Sequence, residues 1–414
     1  MKSRFDVIIV GGGPAGMMAA ITAADAGAHV LLCEQLRRPG AKLLATGGGR
    51  CNLTNVLGAR ELAERFGKNG RFMRSALAAM DGEGLRRFFD TIGVATHCPD
   101  GFHYFPESES SLAVRDALVR RCENAGVELS ASLNVTALLY EAGRVTGVAT
   151  PSGRLFAPAV VLATGGRSYP ELGATGSGYE MAKSVGHTIV NPVPGLVSLD
   201  IAESWLGRSA GIALPDAEVR IDLPRTKIRE SGIVLITHRG LSGPAVLDIS
   251  GEVSALLPSN GKVPMRLNLV RELSVRGWLE RFEDWQRREG RKMIRTLLAL
   301  HLPASLAAVM CEQVGVADDT RAVSFRKQQR RMLAELLTSL RLTVTSTEGW
   351  DKAMVTRGGV ALGEVDQRTL QSRLVHGLHF AGEVLDLDGP CGGFNLTWAF
   401  SSGRLAGESA ARVS

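Results

Sequence analysis

The first 34 residues constrain the fold more than any other stretch of the chain. Phe5-Asp6-Val7-Ile8-Ile9-Val10 is a short, almost unbroken apolar run, as a parallel strand buried on both faces requires. It runs into Gly11-Gly12-Gly13-Pro14-Ala15-Gly16, whose glycines at 11, 13 and 16 have GxGxxG spacing. Met17 to Ala26 then reads as a helix that Gly27 can cap, and His29 to Cys33 as a second apolar strand ending at Glu34. Each part has a physical task. Gly11 permits the tight turn, Gly13 lets backbone approach a pyrophosphate, and Gly16 lets the helix pack close to the strand. The helix N-terminus presents unpaired N–H groups and a positive dipole end to the phosphates. Glu34 sits where an acid accepts hydrogen bonds from ribose hydroxyls, which argues against a 2′-phosphate in this site. The order strand, glycine turn, helix, strand, acid predicts a Rossmann-type dinucleotide site. It does not by itself say which dinucleotide.

With 414 residues the chain is long enough for two or three domains and a core that needs neither disulfide nor metal. Its 48 glycines exceed the usual share of about 7% and cluster in a few loops, as close backbone approach to a ligand demands. Six scattered cysteines form no CxxC pair, so no zinc or thioredoxin-like motif is present and a reducing compartment is expected. The N-terminus runs straight into the first strand and lacks the apolar core and cleavage site of a signal peptide. The longest apolar stretch, Met293 to Met310, is broken by Arg295, His301 and Pro303. The expectation is a cytoplasmic protein without a membrane partner. Five of the six net positive charges fall between Arg271 and Arg341, where fourteen Lys/Arg face nine Asp/Glu. That excess reads either as a solvated helical face or as a surface for an anionic partner such as RNA. Arg326, Lys327, Arg330 and Arg331 are its densest part, with Arg287, Arg288, Arg291, Lys292 and Arg295 as a second stretch.

Pro192, Pro194 and Gly195 mark a boundary. From there to Val270 the alternation in 218–221, 233–237 and 263–269 predicts a β-rich module. Trp278 to Trp285, Met293 to Leu300 and Phe325 to Leu340 have helical spacing, Leu342 to Thr347 returns to strand, and Asp351 to Glu364 leads back to the first domain. The expected boundaries are 1–191, 192–353 with a helical subdomain at about 271–341, and 354–414.

Eight further stretches carry a resemblance. Asn134 to Ala149 reads as alternating strands around Glu141-Ala142-Gly143, and Phe156 to Gly166 as a strand ending in Ala163-Thr164-Gly165-Gly166. Leu378 to Asp386 contains Gly382-Glu383, and Gly392-Gly393-Phe394-Asn395-Leu396 opens a helix. The most specific string is Gly40 to Asn55, with Lys42-Leu43 and Thr46-Gly47-Gly48-Gly49-Arg50-Cys51-Asn52. Gly101 to Ser108, Gly240 to Ala245 and Val355 to Val360 complete the set. Together these resemble the BaiN/RdsA-like FAD-dependent oxidoreductases, also called YhiN-like, over the whole chain.

The resemblance implies an α/β fold: a split Rossmann-type, glutathione-reductase-like FAD-binding domain, with the β-rich domain and its helical subdomain inserted. It implies non-covalent FAD held by Gly11, Gly13, Pro14, Ala15, Gly16, Glu34, Val135, Ala163, Thr164, Gly165, Gly166, Gly382, Glu383 and Asp386. The 40–55 loop wraps the flavin, with Lys42, Gly49, Arg50, Cys51 and Asn52 among its contacts. Gly392, Gly393, Phe394, Asn395 and Leu396 present a helix N-terminus to the flavin N1–C2=O edge. Gly173 to Gly178 lacks the spacing and context of a second nucleotide site, so NAD(P)H is expected to visit the flavin as a transient reductant. Two activities are implied: reduction of uridine to dihydrouridine in ribosomal RNA, and reduction of a small-molecule enone such as a steroid. A non-catalytic, FAD-stabilised binding protein is the third reading. Cys391, one residue before the glycine pair, reads either as a proton donor or as a small residue filling space. His238 and His103 read either as acids or positioners, or as satisfied structural residues. No cluster has metal-ligand spacing.

Overall fold

A computed structural model describes residues 5–413. The chain divides into two compact units, Met1–Val193 with Met354–Ser414, and Pro194–Ala353.

In the first unit β1 (Val7–Val10), β2 (Val30–Glu34), β3 (Glu128–Ala131), β4 (Ala159–Leu162) and β5 (Leu378–Phe380) form one parallel sheet. Its order is β5-β4-β1-β2-β3. Every residue of β1, β2, β4 and β5 is buried, which is why these strands are continuous apolar runs rather than alternating ones. The strand order reverses between β1 and β4, so the segments leaving their C-terminal ends diverge and open a crevice. Gly11 to Gly16 leaves β1 there, and Ala163 to Gly166 leaves β4 there. Helix α1 (Pro14–Asp25) packs against α2 (Phe394–Ala410), the last helix of the chain. A Cβ on Gly403 would lie 2.3 Å from the Ala15 carbonyl oxygen and one on Gly407 2.4 Å from that of Ala19, so these two glycines set how closely the helices cross. Ala137–Glu141, Arg144–Thr150 and Gly153–Phe156 form a three-stranded antiparallel sheet where alternation begins near Asn134.

The second unit is built on a closed barrel of six strands. Neighbours around it are Leu199–Ile201, Gly240–Ser242, Arg229–Ile236, Ala213–Ile221, Val263–Asn268 and Leu340–Thr347. The last two pair antiparallel although some seventy residues apart, so the helical part is an excursion between adjacent barrel strands. It contains Val275–Arg288, Ile294–Leu298, Ala304–Gln313 and Lys327–Thr338, packed around Trp278, Phe282, Trp285 and Phe325. Helix Pro244–Asn260 lies within a stretch whose sequence reads as strands. Gly251 and Pro258 weaken its helical signal, and burial of Val246, Ile249 and Val253 overrides that weakness. Among the described residues no helix is long and apolar enough to cross a membrane.

Candidate active site

The glycine turn after β1 contains glycines of two kinds. A Cβ on Gly16 would lie 1.8 Å from the Gly11 carbonyl oxygen, and one on Gly11 2.5 Å from that of Ala163, so packing excludes side chains at both. Gly13 is different. Its φ of −77° and ψ of −177° suit any residue, and a Cβ there would meet no heavy atom within 4 Å. Neither strain nor packing demands glycine at 13, and the space in front of it is open. Gly13 is also the N-cap of α1, offers no side chain to cap it, and has Pro14 behind it. The first N–H groups of α1 therefore point into open space with the positive end of the dipole, the arrangement that holds a pyrophosphate. Glu34 braces the turn: its carboxylate accepts from Gly12 N at 2.8 Å and Leu36 N at 2.7 Å while buried at the end of β2. The segment leading to Val135 hangs on the same strand end, Leu133 N donating to Glu34 O at 2.8 Å and Ser132 N to Leu36 O at 2.9 Å. Gln35 Nε2 donates to Gly173 O at 2.6 Å, which brings the 173–178 turn to this end of the crevice.

Opposite the turn, Ala163 to Gly166 meets the 354–386 stretch. Gly166 leaves no room for a side chain, since a Cβ there would lie 2.2 Å from Thr356 Oγ1. Glu383 accepts from Thr356 N at 2.7 Å and Ser168 Oγ at 3.0 Å, and pairs with Lys42 Nζ at 2.6 Å. The Lys42 ammonium, expected on phosphate or flavin oxygens, is thus taken up by Glu383 and by Ser168 Oγ at 2.5 Å. Burial pushes the Asp386 carboxyl above the ordinary carboxylate range, against the pull of Arg357, Lys68 and a Gly358 N–H. Gly382 donates its N–H to Ser402 and accepts from Trp398 Nε1 at 3.2 Å, which fastens the motif to α2.

The 40–55 segment forms tight turns over Lys42–Gly49, broken at Thr46 to Gly48. Cβ atoms on Gly48 and Gly49 would meet nothing within 4 Å, although both have positive φ. Arg50 and Cys51 have protein partners of their own here. The Arg50 guanidinium stacks over Phe105 at 4.4 Å and pairs with Glu109 at 3.5 Å. The Cys51 thiol is fully buried, desolvation pushes it up to about 12, and its backbone has φ of 65°. Asn55, not counted among the expected contacts, donates to Gly392 O at 2.8 Å and so ties this loop to the glycine pair ahead of α2. Oriented to satisfy both of its amide groups, Asn52 accepts from Gly393 N at 3.1 Å. Asn395 closes the turn on itself by accepting from Gly389 N at 2.9 Å and donating to Gly389 O at 2.8 Å. Gly393 caps α2 without a side chain, Phe394 is buried behind it, and Leu396 is half-buried.

Cys391 is half-buried in this turn. Its neighbour Gly392 lies against His103: a Cβ on Gly392 would be 3.3 Å from His103 Nε2. Asp100 holds the other ring nitrogen, Oδ2 to Nδ1 at 2.5 Å, and its Oδ1 accepts from His103 N and Phe102 N. Those bonds hold the Asp100 carboxyl well below its usual range, the His103 N–H contributing most. Asp100 was not singled out in the sequence, although Asp-Gly three residues before His103 is a turn signal that orients such a pair. His238 belongs to the second unit, exposed in the turn before Gly240–Ser242. Among the described residues no three His, Cys, Asp or Glu side chains gather as metal ligands.

The basic stretch of the second unit is less open than its sequence implies. Arg330 is largely covered, with 15% of its side chain exposed and Glu283 at 3.8 Å, and Arg331 pairs with Glu335 at 2.9 Å. Arg287 and Arg288 share Asp284, Lys292 pairs with Glu289, and Arg295 with Asp318. Of the four cations at 326–331, only Arg326 and Lys327 are exposed without an ion pair.

Known proteins match this geometry along the entire chain. The 3-dehydro-bile acid delta(4,6)-reductase of Clostridium scindens is 34% identical over 97% of this chain and 98% of its own. The ribosomal RNA dihydrouridine synthase of Escherichia coli is 34% identical over 96% of both. Among solved structures, the 3-ketosteroid delta1-dehydrogenase of Sterolibacterium denitrificans shares the fold, with a TM-score of 0.55 at 13% identity, over 98% of this chain and 99% of its own. The family described as HI0933-like protein Rossmann domain matches residues 5–409. An uncapped α1 behind a ligand-sized gap at Gly13, a braced acid at Glu34 and this full-length match have one reading: the chain belongs to the HI0933-like family of FAD-dependent oxidoreductases.

Proposed function

We propose that this chain saturates a polarised carbon–carbon double bond and that its substrate is a uridine of ribosomal RNA. The support is what two relatives of equal identity have in common: one is named for reducing a bile-acid delta(4,6) system, the other for making dihydrouridine. Both names describe adding two hydrogens across C=C. A net charge of +6 and a pI near 9.1 favour the polyanionic substrate over a steroid.

When bound, FAD supplies the electron pair with one hydrogen. The chain's residues hold the cofactor, exclude water and provide the proton for the neighbouring carbon. Gly13 and the α1 N-terminus take the pyrophosphate, Glu34 the ribose end, and the uncapped α2 N-terminus at Gly393 the flavin edge where negative charge collects. Cys391 and His103 are the proton-bearing groups at that turn, with Asp100 fixing the imidazole so that Nε2 faces Gly392. NAD(P)H reduces the cofactor without a nucleotide domain of its own, since the 173–178 turn serves the first site. A ribosomal RNA substrate places the protein in the cytoplasm.

The test is incubation with NADPH and deproteinised ribosomal RNA from a deletion strain, followed by mass spectrometry of the nucleosides. A uridine that gains two hydrogens is expected. No gain, with turnover of a 3-oxo-Δ4 steroid instead, hands the site to the enone reading that the C. scindens relative supports. Cys391→Ala is expected to keep flavin reduction by NADPH and lose about 10²–10⁴-fold in substrate reduction. An unchanged rate leaves Cys391 a space-filling role.

A further inference from the structure

The segment Arg65 to Arg74 reads Arg-Phe-Gly-Lys-Asn-Gly-Arg-Phe-Met-Arg: four cations at intervals of three residues, and no acid. Its conformation turns that interval into a row. Arg65 ends the helix Ala59–Glu64, Gly67–Met73 is a 3₁₀ helix, and Arg74 follows it. A 3₁₀ helix has three residues per turn, so side chains at i and i+3 eclipse one another, about 6 Å apart along the axis. Lys68 and Arg71 therefore stand along one side, with exposed Arg65 at the turn before the 3₁₀ helix and exposed Arg74 opening the helix after it. All four are exposed, and among the described residues none makes an ion pair or a side-chain hydrogen bond. Other exposed arginines, such as Arg60, Arg276 and Arg288, are by contrast paired within their own helices.

The opposite side of the same segment is built into the flavin-binding end of the unit. Phe66 meets Phe394 edge to face at 6.2 Å, and its ring excludes any side chain at Gly389, whose Cβ would lie 2.6 Å away. Phe72 packs on Trp398 at 6.1 Å. Asn69, between two of the cations, donates to Asp386 O at 3.2 Å. The row thus borders the 382–396 motif, and its backbone is clamped to it from behind.

We infer that Arg65, Lys68, Arg71 and Arg74 form the track on which the phosphodiester backbone of the substrate RNA lies while its target base is at the flavin. This extends the ribosomal RNA reading and rests on it for the identity of the strand. The row fits a polyanion because evenly spaced, unpaired cations gain by releasing condensed counterions. A rigid clamp behind them fixes the register between strand and reacting base.

The experiment compares the wild-type holoenzyme with the Arg65→Gln/Lys68→Gln/Arg71→Gln/Arg74→Gln variant. Three quantities are read: anisotropy of fluorescein-labelled oligouridylate across a salt series, KM for NADPH in flavin reduction, and dihydrouridine in deproteinised ribosomal RNA. All four side chains are exposed, so the flavin spectrum and thermal midpoint should match wild type. The log–log salt slope should fall in magnitude by roughly 0.7 per cation removed, about 3 in all, with KM for NADPH unchanged. The single variant Arg71→Gln should lose about a quarter of that difference. A variant with the wild-type slope overturns the track. So does one that raises KM for NADPH while binding RNA normally, since the phosphate recognised is then that of the nicotinamide. A reduced slope in the variant, together with a wild-type enzyme that makes no dihydrouridine, keeps the track and removes the ribosomal uridine reading instead.

Discussion

Two turns of this chain share a local signature and have opposite uses. Gly13-Pro14 follows β1 and opens α1; Gly243-Pro244 follows the strand Gly240–Ser242 and opens the helix Pro244–Asn260. In the barrel, both glycines of the turn answer to the protein's own backbone. A Cβ on Gly240 would lie 2.0 Å from Leu199 O, and Gly243, at φ of 89°, faces Ile233 O at 2.8 Å. In the Rossmann turn, Gly13 has ordinary dihedrals and faces nothing. The two turns share a motif, yet only the barrel glycines are demanded by the protein's own backbone.

This distinction makes three substitutions unequal. Gly240→Val, with a bulky side chain driven at a backbone oxygen, should cost about 4 kcal/mol or more and leave little soluble protein. A chemical denaturation midpoint near wild type would mean the barrel edge can part and the glycine is not structural. Gly13→Val should purify colourless yet fold: its apo form is expected within about 0.5 kcal/mol of wild-type apoprotein, because the new atoms enter open space. Retention of stoichiometric FAD, read from absorbance after gel filtration, would break the assignment of that space. Glu34→Gln should act most mildly. One of the two backbone N–H groups that Glu34 holds is left facing an amide donor, at a cost of about 1–3 kcal/mol, and FAD affinity should fall about tenfold by fluorescence titration. Unchanged affinity would show that the brace on Gly12 does not shape the site.

What the sequence reveals and conceals follows the same line. The parallel strands are legible because burial on both faces demands unbroken apolar runs, and the turn at 11–16 because its spacing has a mechanism. Helix Pro244–Asn260 is not legible, since Gly251 and Pro258 hide a helix that tertiary burial secures. The destination of Lys42 is equally hidden: its partner Glu383 lies 341 residues further on, and no local pattern encodes that pairing. Charge shows the difference most plainly. Counting residues singles out 271–341, where most cations have acids of their own, and passes over 65–74, whose four exposed cations make no ion pair among the described residues. A count measures net charge; availability depends on neighbours that only the fold supplies.

The sheet of the first unit begins with Val7 and is not complete until Leu378–Phe380, and α2, which packs on α1, follows at Phe394–Ala410. The barrel unit, Pro194–Ala353, is by contrast one uninterrupted segment. During synthesis at about 5–20 residues per second, β1 therefore waits roughly 20–75 s for its last sheet partner, while the barrel has everything it needs. The interval leaves apolar strands without their final cover, the condition under which a nascent chain is most prone to aggregate and most in need of a chaperone. The crevice between β1 and β4 acquires its α2 wall only after residues 394–410 have been made, so cofactor capture waits on that segment while folding of the barrel does not.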